Sequence, residues 1–263
     1  MPDTFVMLSG LHGIKVYNST IASWDASAAI TNENHPSMSS LYVARVNTTD
    51  GLLPLGLQSP DFPQNLYDIE FCVTNLRELP DDLYTKWHAG ANLQFEYSQL
   101  EAIPASLTQL APSMLAVTGN PINELPPEIF EITGLTSLSV SGTDLYELPR
   151  NVLNVSPELL VISIMDTDIS FFWSWSDALF ATLWIAGGSA YCTDLDKIKN
   201  GSASNFDVAP SGEYASILMD PSEANWENIA NAVYCGPFDR SVYPLVVDDY
   251  FLAVSTPPAI ATY

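Results

Sequence analysis

One pattern recurs along this chain and limits what it can fold into. Written L-x-x-L-x-L-x-x-N-x-L, it occurs as "LHGIKVYNSTI" from Leu11, "LYDIEFCVTNL" from Leu66, "GANLQFEYSQL" from Gly90, "PSMLAVTGNPI" from Pro112, "LTSLSVSGTDL" from Leu135 and "LLVISIMDTDI" from Leu159. Looser copies, "MSSLYVARVNT" and "FATLWIAGGSA", begin at Met38 and Phe180. The second aliphatic position falls at Ile14, Leu41, Ile69, Leu93, Leu115, Leu138, Ile162 and Leu183, which gives offsets of 27, 28, 24, 22, 23, 24 and 21 residues. Self-similarity at such a period signals stacked supersecondary units. Within a unit, as in Leu138-Ser139-Val140, apolar and polar residues alternate with the period of a strand. A strand of about three residues cannot bury its own apolar face, so each unit must bury it against the next. Strands are expected near residues 14–16, 41–43, 69–71, 93–95, 115–117, 138–140, 162–164 and 183–185.

These copies resemble the leucine-rich-repeat superfamily over roughly residues 5–190, and four of them end in an added Leu/Ile-Pro at Leu79-Pro80, Ile103-Pro104, Leu125-Pro126 and Leu148-Pro149. The resemblance implies an α/β solenoid: a curved right-handed coil with a concave parallel sheet of about eight short strands, turns or short helices outside, and a helical C-terminal cap. Extracellular members tie such caps to the solenoid with cysteines, which implies a Cys192–Cys235 pair; two buried thiols are the alternative. If paired, the cysteines close a loop of 235 − 192 = 43 residues, a constraint of about 4 kcal/mol in the chain-entropy model. The spaced ending "YC…ILMD…VYC…YPL" is similar to leucine-rich-repeat regions of oomycete proteins, many of them attached to a membrane-spanning region.

The polar position of the unit is held by Ser19, Val46, Thr74, Ser98, Asn120, Thr143, Thr167 and Gly188. Where a strand turns into the interior its backbone groups are buried and need partners. A stacked column of short polar side chains supplies them, with breaks expected at Val46 and Gly188.

After residue 190 the composition changes. Residues 191–250 read as the cap and 251–263 as a flexible tail. In the cap, residues 219–237 read as one helix, with Asp220 as N-cap, Pro221 in the first turn and a buried stripe of Trp226, Ile229, Ala230 and Val233. Cys72 reads as a lone thiol exposed on the concave side. "FFWSWSDALF" (171–180) should mostly fill the convex layer beneath the cap.

Composition narrows the functional classes. With 31 acidic and 8 scattered basic residues the net charge is −23, so a phosphate-tracking nucleic-acid surface is excluded, while a basic partner is allowed. No run of about 20 apolar residues is present, so no membrane insertion is expected. The N-terminus lacks a basic region followed by an apolar one, as in a chain without a signal peptide or a fragment lacking it. His12, His35 and His88 lack metal-ligand spacing, and neither a phosphate loop nor a nucleophile elbow is present. No metal, cofactor or enzymatic activity is therefore expected. Four sequons, at Asn18, Asn47, Asn154 and Asn200, are glycosylation candidates and, with the cysteines, favour an extracellular setting or ectodomain over the cytoplasm.

The expected function is non-enzymatic recognition of a protein or peptide on the concave face. Alternation points Lys15, Tyr17, Tyr42, Ala44, Glu70, Cys72, Gln94, Glu96, Ala116, Thr118, Ser139, Ser141, Ser163, Met165, Trp184 and Ala186 out of that face, joined by adjacent Tyr97. Tyr17, Tyr42, Glu70, Glu96, Tyr97, Thr118, Ser139, Ser141, Met165 and Trp184 are the partner-binding candidates. An intracellular scaffold domain is the alternative, and a hydrolase using Glu70 and Glu96 a remote one.

Overall fold

The computed structural model describes residues 1–179 and 181–251. Phe180 and the tail expected over 251–263, beyond residue 251, lie outside the described residues. One sheet runs the length of the molecule: β1 (Gly13–Ile21), β2 (Ser40–Thr48), β3 (Asp68–Thr74), β4 (Asn92–Glu96), β5 (Met114–Ala116), β6 (Ser137–Ser139), β7 (Val161–Ser163), β8 (Leu183–Ile185) and β9 (Val233–Tyr234). The strands lie in sequential order, each pairing parallel with the next. The return segments are mostly 3₁₀ turns, with α1 (Ala105–Leu110) the only α-helix between two repeats among the described residues. The Leu/Ile-Pro steps start several of these returns: Pro104 precedes α1 and Pro126 precedes the 3₁₀ turn Pro127–Glu131, positions where proline's fixed φ and missing N–H cost nothing.

The register aligns Ile14, Leu41, Ile69, Leu93, Leu115, Leu138 and Ile162 on the core side. In the last repeat the partner of Ile162 is Trp184 and not Leu183. The expected phase is off by one there, and a one-residue slip sends every side chain to the opposite face. Trp184 is fully buried, edge-on to Phe172 at 4.9 Å, while Leu183 is 39% exposed. Ala186 follows it into the core. An indole fits because Phe172 and Tyr191 build an aromatic pocket at this end of the stack.

The same correction repairs the polar column. Its eighth member is Ser189, buried, whose Oγ accepts the Cys192 amide at 3.2 Å and caps α2 (Ala190–Lys199). Asn120 donates to the Phe95 and Val117 carbonyls at 2.6 and 2.9 Å and accepts the Leu100 amide at 3.0 Å. Thr74 and Ser98 bond each other at 2.8 Å. Val46 does occupy its place, where the ladder continues: β1 and β2 are nine residues long and run past this point, so Val46 sits in the ladder opposite Ser19 and Thr74.

One residue before each column member the backbone takes a positive φ: Asn18, Arg45, Val73, Tyr97, Gly119, Gly142, Asp166 and Gly188, between 46° and 77°. This left-handed residue swings the chain from strand to interior. Glycine adopts it freely; Arg, Val and Tyr do so rarely.

At the C-terminal end, α2 carries Cys192, and the expected long helix is a short one. A 3₁₀ turn (Glu223–Asn225) leads into α3 (Trp226–Ala232), and Val233 and Tyr234 then leave the helix to form β9. The buried residues are Asn225, Ile229, Ala232 and Val233, whereas Ala230 is exposed and Trp226 half-buried. The backbone demand of the open edge of β8 overrides the helical periodicity. Cys192 and Cys235 form a disulfide with Cα atoms 5.6 Å apart. Phe172, Trp173 and Leu179 are buried under this end, with Phe171 edge-on to Trp173 and tilted against Tyr214.

Candidate functional site: the strapped outer face of the sheet

Two columns of side chains leave the sheet on the face away from the core. The first runs Lys15, Tyr42, Glu70, Gln94, Ala116, Ser139, Ser163 and Ile185. The second, two residues on, runs Tyr17, Ala44, Cys72, Glu96, Thr118, Ser141, Met165 and Gly187. Over this second column lies the chain's own C-terminal segment. After the disulfide, residues 236–251 turn back and cross the sheet from the last repeat to the first, ending in α4 (Leu245–Phe251).

The crossing is specified residue by residue. Gly187 admits the strap at its start: a Cβ there would meet the Gly236 carbonyl oxygen at 2.5 Å. Arg240 donates to Asp166 through Nε at 2.8 Å and Nη2 at 2.5 Å. Glu96 is the central anchor. Its carboxylate accepts the amides of Val242 at 2.9 Å and Tyr243 at 2.7 Å, and the Ser241 hydroxyl at 3.0 Å. The Tyr243 ring is buried against Ala44 and Cys72, with Tyr17, Tyr42, Val73, Tyr97 and Leu245 around it. Beyond it, Asp249 receives Arg45 through Nε at 2.8 Å and Nη2 at 2.5 Å, and also the Tyr17 hydroxyl. Asp248 receives Lys15 at 2.7 Å and the Tyr243 hydroxyl.

Electrostatics follow from this covering. Burial pushes the Glu96 carboxyl above its ordinary range, opposed by the strap amides of Tyr243 and Val242. Burial, and then the charge of Asp68, raises Glu70 to about 8. The Asp68 carboxylate, bonded at 2.6 Å, holds the Tyr42 phenol up at about 12. Arg45 pulls Asp249 below the usual carboxylate value. The Cys72 thiol is raised by burial and by Glu96 and Glu70.

The sequence-expected candidates are thus brought onto one face, but few are free on it. Tyr17, Tyr42 and Tyr97 are half-buried, while Glu70, Glu96, Thr118, Ser139, Ser141 and Met165 are buried. Thr118, Ser139, Ser141 and Ser163 form a hydroxyl ladder, with contacts of 2.9 Å between Thr118 and Ser139 and 2.7 Å between Ser141 and Ser163. Trp184 is not on this face at all. Cys72 faces outward but is fully covered by Tyr243, so the expectation of an exposed thiol is overturned. Arg45 and Asp166 were missed because alternation assigns no direction to a turn residue; both sit at the positive-φ position, which aims them at the strap. The sequon asparagines Asn18, Asn47, Asn154 and Asn200 are all exposed.

Among the described residues no three His, Cys, Asp or Glu side chains are grouped to hold a metal ion, and no helix is long and apolar enough to cross a membrane. A cavity of about 410 Å³ lies away from the strap, between the turns of the first three repeats, lined by residues such as Trp24, Asp50, Leu53 and Glu78.

Neither a protein-family model nor a curated protein sequence matches the chain. Among solved structures, a leucine-rich-repeat protein of Leptospira interrogans superposes with a TM-score of 0.54 at 14% identity, over 71% of this chain and 53% of that one. The chain therefore spans about half the length of that protein, and at this identity the likeness is one of fold. Sheet order, register and superposition together define a leucine-rich-repeat-like α/β solenoid.

Proposed function

We propose that this chain is a non-enzymatic recognition module that binds a protein or peptide across the outer, concave face of its sheet. One observation carries the reading: the face already holds a polypeptide segment, through a buried carboxylate for its amides, an apolar socket for an aromatic ring and two cations for carboxylates. The oxygens of Glu96 are taken by three strap donors and Glu70 accepts from Gln94 at 2.9 Å, an arrangement that argues against a working pair of catalytic carboxylates.

The setting we favour is extracellular or an ectodomain. The cap disulfide and four exposed sequons support it, as does the cysteine-cap resemblance, including the oomycete-like ending. An intracellular scaffold is the rival. Thiol counting on protein from its native source separates the two: one free thiol is expected, and three would refute the extracellular reading.

Binding is tested by selecting peptides and small domains from a displayed library on the immobilised full chain. Tyr42→Ala should lower capture at least about tenfold, equivalent to roughly 1.4 kcal/mol, without unfolding the chain. Ligands indifferent to Tyr42 and protecting no strand of the outer face from hydrogen exchange would overturn the reading.

A further inference from the structure

The strap is built inside out. In α4, Asp248 and Asp249 turn toward the sheet, while Val246 and Val247 face solvent at 83% and 53% exposure. An element held for its own stability would bury the valines and leave the carboxylates in water. Docking here instead relies on Tyr243, the Glu96 bonds and three ion pairs, Lys15–Asp248 and Arg240–Asp166 partly exposed and Arg45–Asp249 with its guanidinium largely covered. The exposed pairs are individually weak and screened by salt. The sheet, by contrast, has made costly arrangements for the contact. Arg45, Val73 and Tyr97 adopt positive φ at the column where other repeats use Gly119, Gly142 and Gly188, and all three lie against the strap. Strained backbone of this sort concentrates at binding sites. In a chain with only 8 basic residues, two of them, Lys15 on β1 and Arg45 on β2, reach adjacent carboxylates of the strap.

Resting on the recognition reading above, we propose that the outer face reads acidic, aromatic-anchored peptides, and that residues 240–249 occupy it in cis until a partner segment of the same chemistry displaces them. The ligand class is a segment with an aromatic side chain for the Ala44–Cys72 socket, followed by a short helix. Two carboxylates follow five and six residues later, as Asp248 and Asp249 follow Tyr243, for Lys15 and Arg45. The two amides that reach Glu96 belong to the aromatic residue and its predecessor.

The test uses the full chain and a fluorescent synthetic peptide of residues 238–251 as probe. A strap-weakened full chain, Tyr243→Ala with Asp249→Asn, should bind the probe at least about tenfold tighter than the wild type, a gain of roughly 1.4 kcal/mol in available affinity. Adding Arg45→Gln should remove that gain, and added salt should weaken binding. Asp249→Asn alone, which leaves Tyr243 seated, serves as a milder variant, and circular dichroism checks that each chain is folded. Equal binding to wild type and weakened chain, or binding to neither, overturns the proposal. If the probe fails while library selection still yields face-directed ligands, the recognition reading stands and the cis-ligand chemistry falls. If the probe binds while selection yields no face-directed ligand, the cis-ligand chemistry stands and the wider recognition reading falls.

Discussion

Truncating Asn120 should cost far more than truncating Thr143, although both occupy the same column. Asn120 is 2% exposed, and two of its bonds leave its own turn: Nδ2 to the Phe95 carbonyl at 2.6 Å and the Leu100 amide to Oδ1 at 3.0 Å. In Asn120→Ala these two groups of the neighbouring repeat remain buried without that partner. Each such orphan costs about 1–3 kcal/mol, so the variant should lose roughly 3–5 kcal/mol. The Thr143 hydroxyl reaches the carbonyl of Val140 in its own turn, at 2.7 Å. Thr143→Ala should lose about 1 kcal/mol, the net worth of one hydrogen bond. Urea unfolding followed by circular dichroism measures both. Hydrogen exchange at the Leu100 amide adds a local readout, with faster exchange expected in Asn120→Ala alone. Losses equal within about 1 kcal/mol would refute the idea that the column works by bonding across repeats, since single hydrogen bonds are worth that much.

Trp184→Ala should destabilise the chain by about 3–5 kcal/mol, as large-to-small changes at a filled aromatic site do. A variant with unchanged urea midpoint would put Trp184 back on the outer face. Glu70→Gln should separate from the wild type with pH. The folded value of Glu70, about 8, lies above the ordinary 4.5, so its contribution is whole below pH 4.5 and is lost as pH rises through 8. Glu70→Gln should therefore match the wild type near pH 4.5 and exceed it above pH 8 by at least about 1 kcal/mol, one pKa unit's worth. A difference independent of pH would contradict the burial of Glu70.

Stacking was legible in the sequence because a repeat states its own period: Leu115, Val117 and Ile122 are meaningful only beside their counterparts in other copies. Phase was lost at "LWIAGG", where Leu183-Trp184-Ile185 offers three apolar residues in a row and alternation cannot choose among them. The choice was made by pairing with Ile162 and by the pocket of Phe172 and Tyr191. The helical reading of residues 219–237 failed at Val233, where an open strand edge competed with the periodicity. The strap was least legible of all. "FDRSVYPLVVDDY" carries no repeat and no amphipathic signal of the usual sign, and its partners are 74 to 233 residues distant in the chain. A trace was present nonetheless. Asn18, Gly119, Gly142, Asp166 and Gly188 occupy the turn column as turns prefer, and Arg45, Val73 and Tyr97 do not. Residues unsuited to a backbone position imply that something else holds them there.

The thiol of Cys72 reports most directly on whether the strap covers the face. It is the one free cysteine among the described residues, fully buried beneath Tyr243 and raised by burial toward its protonated, unreactive form. A disulfide reagent added to the native, disulfide-intact chain should find no fast-reacting thiol, whereas Tyr243→Ala with Asp249→Asn should expose one, reacting at least about tenfold faster while circular dichroism stays unchanged. A Cys72 that reacts in the wild type at the rate of an exposed thiol would show the face to be open.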